Sequence, residues 1–191
     1  MSPRTAQTSV PVIDALSARW SPRAFDTEHA FPEGALRGLL EAARWAPSAA
    51  NTQPWRFIVT RRGSDSFARV MDTLMGFNRE WAGDAAALIV NVAEMIDDEG
   101  KPRPWAEYDL GQAVSHLSVQ ATAEGFHVHQ MGGFDRDAIA REFDLDERFR
   151  PVSITAIGMV GTPEQLPEVL RERELAPRVR KDLDDIIIVN D

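Results

Sequence analysis

Ala85-Ala86-Ala87-Leu88-Ile89-Val90-Asn91-Val92 is the stretch around which the rest of the chain can be arranged. Its apolar residues run on without the alternation of a half-exposed strand, so it reads as a strand covered on both faces. Its longest uninterrupted apolar run, Ala85–Val90, is far short of the roughly 20 residues a membrane-crossing helix requires. A strand buried on both sides needs partners on both, and helical patterns flank it. Leu36, Leu39, Leu40 and Ala43 recur at helical spacing, after Pro32 and Glu33 at a first turn and before Pro47, which ends that helix at about Ala46. Phe67, Val70, Met71 and Leu74 mark a second helix. Asp109–Glu124 carries the strongest pattern, with Leu110, Ala113, Val114, Leu117 and Ala121 on one face, Asp109 as a start cap and Gly125 as the end cap. A short helix over Val12–Ala18, strands at Trp55–Thr60, Phe126–Met131 and Val152–Val160, and a helix capped by Asp135 complete the pattern. Helices and strands are interspersed, so the class is α/β or α+β around one mixed sheet.

Composition narrows what such a fold can do. The chain has 191 residues, of which 43% are apolar, and a single folded domain over residues 1–191 is expected. It has no cysteine, which removes disulfides, thiolate metal sites and cysteine nucleophiles together. With 21 basic and 30 acidic residues the net charge is −9, the wrong sign for nucleic acid or an anionic membrane surface. Met1–Ser9 is polar and lacks the apolar core of a secretory leader, so a soluble cytoplasmic protein is the expectation. Phosphate-loop, dinucleotide-fingerprint, nucleophile-elbow and H-E-x-x-H patterns are all absent. His127 and His129, two apart in an expected strand, share one side but have no carboxylate cluster near them in sequence, and they read as packed or surface histidines rather than metal ligands.

Three polar clusters remain. Arg19-x-Ser21-x-Arg23, if extended, points two guanidinium groups and a hydroxyl the same way, an arrangement suited to phosphate or a polyhydroxyl chain. Pro47-Ser48-Ala49-Ala50-Asn51-Thr52-Gln53-Pro54-Trp55 joins a helix to a strand. It offers a hydroxyl and two amides, which suit a flavin's uracil-like edge or a nucleobase. Met131-Gly132-Gly133-Phe134-Asp135 runs from a strand end to a helix start, and its glycines let backbone N–H groups approach a flat ligand. Each also has a plainer explanation: a solvated basic turn, a proline-fenced loop, a tight turn with an Asp cap.

Taken in order, these clusters resemble the FMN-dependent nitroreductase family across almost the whole chain. The resemblance rests on Arg19-x-Ser21-x-Arg23-x-Phe25, Pro47-Ser48-x-x-Asn51-x-Gln53-Pro54-Trp55, Asp109-x-Gly111-x-Ala113 and Gly132-Gly133-Phe134-Asp135. It implies an α+β, three-layer fold with a mixed central sheet between helices, and a homodimer with two FMN molecules at its interface. It places Arg19 and Ser21 at the FMN phosphate or ribityl end and Arg23 beside the ring's pyrimidine edge. Arg178-x-Arg180 is placed on the phosphate, and Ser48, Asn51 and Gln53 against the partner subunit's FMN. Met131, Gly132 and Gly133 match the stretch whose backbone meets flavin N5, and Asn78 an amide at the flavin edge.

The implied chemistry takes a hydride from NADH or NADPH onto FMN and passes electrons to a nitroaromatic, quinone or similar acceptor in ping-pong fashion, with no side-chain acid or base. Some members carry a lysine where Trp81 stands here, which leaves Arg23 as the main cation near the ring. Phe77, Trp81, Trp105 and Tyr108, around the Glu94–Glu107 loop, are the candidate substrate contacts. The resemblance also suggests that Ile186–Val189 crosses to the partner as an added strand; pairing with its own sheet is the alternative. A flavin protein of the same fold that never meets nicotinamide (an oxidase, dehalogenase or flavin-consuming enzyme) is the other functional reading.

Overall fold

The computed structural model describes residues 4–190. Its elements are helices α1 (Asp14–Ala18), α2 (Glu33–Arg44), α3 (Asp65–Thr73), α4 (Ala106–Ala123), α5 (Arg136–Glu142) and α6 (Glu168–Leu175), with strands β1 (Trp55–Arg61), β2 (Ala87–Glu94), β3 (His127–Met131) and β4 (Phe149–Gly158). The strands form one sheet in the order β1-β2-β4-β3.

β2 is buried along its whole length and sorts the core into two halves. Ala87, Ile89 and Ala93 pack with Leu36 and Leu39 of α2 and with Leu110, Ala113 and Leu117 of α4. Leu88, Val90 and Val92 face the other way, into Phe67 and Val70 of α3, Ile139 of α5 and Leu170 of α6. Period-2 alternation thus feeds two helical layers, and the fold is α+β in three layers. All four strands pair antiparallel, so the mixed sheet expected from the sequence is not what one chain builds. A continuous apolar strand signals two covered faces, which says nothing about the direction of its neighbours.

Two boundaries differ in ways that matter. α4 begins at Ala106, so Asp109 lies inside the helix rather than capping it. α1 is shorter than the pattern suggested, and Val12, Ile13 and Leu16 are exposed rather than packed. The segment after α1 is stitched across the end of β4: the Gly161 N–H donates to the Ala24 carbonyl at 2.9 Å and the Asp26 N–H to the Met159 carbonyl at 2.9 Å. A Cβ on Gly161 would lie 2.8 Å from the Phe25 backbone, so only glycine permits this crossing.

The tail does not form a strand on its own sheet. Asp184–Ile186 is a single 3-10 turn, and Ile188 and Val189 stand 98% and 71% exposed. Among the described residues no helix is long and apolar enough to cross a membrane.

Candidate functional site

The extended segment after α1 delivers the first cluster. The Arg19 Nη1 donates to the Ser21 hydroxyl at 3.4 Å, so the two side chains converge as period-2 spacing predicts. Arg178 and Arg180, at the far end of the chain, come to the same place. Arg178 gives its guanidinium N–H groups to the carbonyls of Arg4 at 2.6 Å, Ser17 at 2.9 Å and Arg19 at 2.7 Å. It therefore fastens the tail to the first segment, and those donors are engaged with backbone. Burial lowers the pKa of Arg19, helped by the charge of Arg180, and burial lowers that of Arg178, helped by Arg19, Arg180 and Arg4. None of Arg19, Arg178 and Arg180 has a carboxylate partner among the described residues. Arg19 lines two clefts. One, of about 380 Å³, runs between α4 and the β3–β4 pair past Gly111, Ser118 and Gln130. The other, of about 670 Å³, is lined by Arg178, Arg180 and Lys181 together with Asp182.

Arg23 differs from Arg19. Its guanidinium lies 3.7 Å from Glu174 of α6, and the backbone N–H groups of Arg23 and Ala24 donate to the same buried carboxylate at 2.9 and 3.2 Å. Glu174 sits in a run of alternating charges, and nothing in the sequence separates it from its solvated neighbours.

At the end of β3, Gly132 and Gly133 are exposed. A Cβ on Gly132 would meet no atom within 4 Å, whereas one on Gly133 would lie 3.0 Å from the Asn78 amide nitrogen. That nitrogen donates to the Gly133 carbonyl at 3.1 Å, so Asn78 and the glycine pair are brought together. Met131, a candidate through its position, turns its side chain into the core at 2% exposure and offers only its backbone. Trp81 corrects an expectation. It is 2% exposed, wedged between Phe25 and His129, and cannot meet an acceptor. Phe77, Trp105 and Tyr108 are exposed, with Arg173 lying 4.8 Å over the Phe77 ring.

The loop between α2 and β1 is the most strained backbone near these residues. Ala50, Asn51 and Gln53 all have left-handed φ, at 50°, 55° and 48°. Such a conformation costs a non-glycine residue on the order of 1–3 kcal/mol, least for asparagine. The loop is held from several sides. Ser48 accepts the Gln53 N–H at 3.0 Å, Arg56 donates to the Gln53 carbonyl at 3.0 Å, and Asp109 of α4 accepts the Ala49 N–H at 3.1 Å. Within one chain, no hydrogen bond or ion pair among the described residues joins this loop to the Arg19 or Gly132 groups. A cavity of about 210 Å³ instead sets it against Trp105, Tyr108 and Gln112.

Asp109 was legible in the sequence as a cap and as the first residue of the Asp109-x-Gly111-x-Ala113 motif, with no contact of its own assigned. One signal marked it otherwise: it falls four residues before Ala113 on the apolar stripe, where a carboxylate needs a partner.

Both His127 and His129 pack against tryptophans, Trp20 and Trp81 respectively. The His129 Nδ1–H donates to the Pro22 carbonyl at 2.9 Å and the ring lies 4.6 Å from that of Trp81. Burial lowers its pKa to about 4, with Arg23 adding to the effect and the backbone bonds opposing it. An unfolded histidine titrates near 6.5, so between about pH 6.5 and 4 the unfolded chain binds a proton that the folded one refuses. Stability is undiminished above that window and falls as pH drops through it, by roughly 3 kcal/mol at its foot. His129→Gln is expected to narrow the difference in urea midpoint between neutral and mildly acid buffer. An unchanged difference would place the acid sensitivity elsewhere.

Comparison with known proteins accounts for this architecture. The family model described as the Nitroreductase family matches residues 16–159. A crystal structure of an FMN-containing oxidoreductase superposes with a TM-score of 0.91 at 36% identity, covering 98% of this chain and 96% of that one. An uncharacterised 15.4 kDa protein from the ask 5′ region of Mycolicibacterium smegmatis is 34% identical over 138 residues, 69% of this chain and 92% of its own. YodC of Bacillus subtilis, provisionally named an NAD(P)H nitroreductase, is 25% identical over 185 residues, 79% of this chain and 90% of its own. The chain belongs to the nitroreductase family and has the nitroreductase fold.

Proposed function

We propose that this chain is an FMN-dependent oxidoreductase that draws on NADH or NADPH and reduces a small nitroaromatic, quinone or similar acceptor as a homodimer. The observation that carries the reading is the crowding of Arg19, Arg178 and Arg180, none of which forms an ion pair with a carboxylate among the described residues. Like charges gathered at a cleft are stabilised by an anion, and a phosphate monoester suits guanidinium donors. The residues present therefore fit FMN.

Arg19 and Arg180 would bind the phosphate, with Ser21 beside them and Arg178 holding the Arg19 backbone in place. Arg23 would supply positive charge at the pyrimidine edge. The exposed backbone at Gly132 and Gly133, with Asn78 tied to it, would lie against the ring and donate to N5. Ser48, Asn51 and Gln53 would serve the flavin of the partner subunit, consistent with their separation from the other groups within one chain. Phe77, Trp105 and Tyr108 are the exposed aromatics left for an acceptor. Bound flavin supplies the hydride chemistry, and the chain orients, charges and desolvates. The homodimer reading draws support from the apolar tail, whose Ile188 is 98% exposed and which pairs with no strand of its own chain. Sedimentation of a single monomeric species at working concentration would overturn it.

Reconstitution with FMN followed by anaerobic addition of NADH or NADPH tests the activity. A yellow protein that bleaches is expected. One indifferent to both nucleotides would move the assignment to a flavin protein without nicotinamide chemistry, and failure to bind FMN would refute the proposal. Arg19→Ala should weaken FMN by about tenfold or more and riboflavin little, since a charge-assisted bond is worth roughly 1.5–3 kcal/mol. Equal losses for the two ligands would remove Arg19 from the phosphate.

A further inference from the structure

The loop from Ser48 to Gln53 adopts a conformation its own sequence disfavours. Three of its residues are left-handed, and Ala50, with no polar side chain to bond locally, has the least reason to be so. A buried group outside the loop must therefore help to hold it. Asp109 is 2% exposed, sits in the first turns of the longest helix, and turns its carboxylate out of that helix. One carboxylate oxygen accepts the Ala49 N–H at 3.1 Å, immediately before the left-handed run, and the other lies 3.5 Å from the Gln112 side-chain nitrogen. That same nitrogen lies 3.5 Å from the Pro47 carbonyl oxygen, so a single turn of α4 grips the loop on both sides of Ser48.

We propose that Asp109 is a positioning residue that latches the 48–53 loop in its left-handed form, so that Ser48, Asn51 and Gln53 are presented to a flavin before it arrives. The second half of this statement rests on the flavin reading above; the first half does not.

A carboxylate so buried is retained at the cost of its own desolvation, and the Ala49 N–H, at 3.1 Å, is the closer of the two donors that offset that cost. Loss of the acceptor leaves an N–H unpaired beside a backbone that prefers another basin. The loop then samples other conformations, and the free protein is competent for only part of the time. Apparent affinity falls by the same fraction.

Three variants separate this from a merely structural role. In flavin-free protein, Asp109→Ala is expected to raise amide hydrogen exchange across Ala49–Gln53 at least tenfold while β2 and β4 keep their protection. FMN affinity should fall by a comparable factor. Asp109→Asn keeps an acceptor oxygen and should restore most of both. Adding Ala50→Gly to Asp109→Ala should recover part of the loss, because glycine pays no Cβ penalty at positive φ, and a packing defect at 109 would not respond to it.

Unchanged loop exchange in Asp109→Ala overturns the latch. Faster exchange with full FMN affinity keeps the latch and overturns the loop's place at the flavin. Exchange raised equally throughout the sheet, without rescue by either second substitution, overturns the positioning role and leaves Asp109 as a global stability residue. Wild-type protein that fails to bind FMN at all refutes the flavin reading, and the exchange measurements on flavin-free protein still decide the latch.

Discussion

Gly132→Val is expected to fold like the parent protein and to lose its flavin. The position is exposed at the end of β3, its φ is not left-handed, and a Cβ there would meet nothing within 4 Å. The protein alone gives valine no reason to be excluded. A planar ring laid against that backbone would collide with the two γ-methyls, and inserted bulk in a fitted contact costs about 1–3 kcal/mol or more. That corresponds to a loss of roughly 5- to 150-fold in FMN affinity. Circular dichroism melting checks the fold, and flavin fluorescence quenching on titration reads the binding. Unimpaired FMN binding would move the ring away from this strand end. Gly133 gives a less clean test, because its Cβ would press on the Asn78 amide at 3.0 Å and disturb a bond the protein already uses.

Glu94→Ala is expected to produce the largest loss of stability of any single substitution near the site. This carboxylate is 3% exposed at the end of β2 and receives Arg56 at 2.7 Å, Arg103 at 2.6 Å and Arg148 at 3.4 Å. Removing one member of a buried ion cluster leaves the others uncompensated, commonly at about 3–5 kcal/mol. The arginines keep part of their contact with water, which puts the expected loss near the lower figure, about 3 kcal/mol. For a chain of this length that is a fall in melting temperature of roughly 6–12 °C. The consequence reaches the loop as well. Arg56 also donates to the Gln53 carbonyl at 3.0 Å, and Arg103 lies 3.4 Å from that of Thr52, so Glu94 steadies the arginines that hold the second half of the loop. A melting temperature within about 2 °C of the parent, in a range where 1 kcal/mol moves it by about 2–4 °C, would show that solvent replaces the cluster at little cost.

The reach of the sequence can be judged element by element. The apolar stretch Ala85–Val92, unbroken as far as Val90, announced a strand with two covered faces, and the core divides along it. Spacing of Leu110, Ala113, Val114 and Leu117 announced α4, because helical period is a local property. The period-2 placement of Arg19 and Ser21 announced their convergence for the same reason.

What escaped depends on contacts between distant residues. Strand direction is set by how the chain crosses over the layers, and the antiparallel sheet carries no local mark of it. Trp81 reads like any aromatic beside a variable loop until Phe25 and His129 close around it from 56 and 48 residues away in sequence.

The sequence by itself determined the family, the layered class and the convergence of Arg19 and Ser21. These rest on spacing within single elements, where backbone geometry leaves few alternatives. Only the tertiary structure decided that Arg178 is spent on the backbone of the first segment, that Glu174 answers Arg23, and that Asp109 reaches the Ala49 amide. A buried charge is stable only where the fold brings it a partner, and the partner's place in the chain is set by packing.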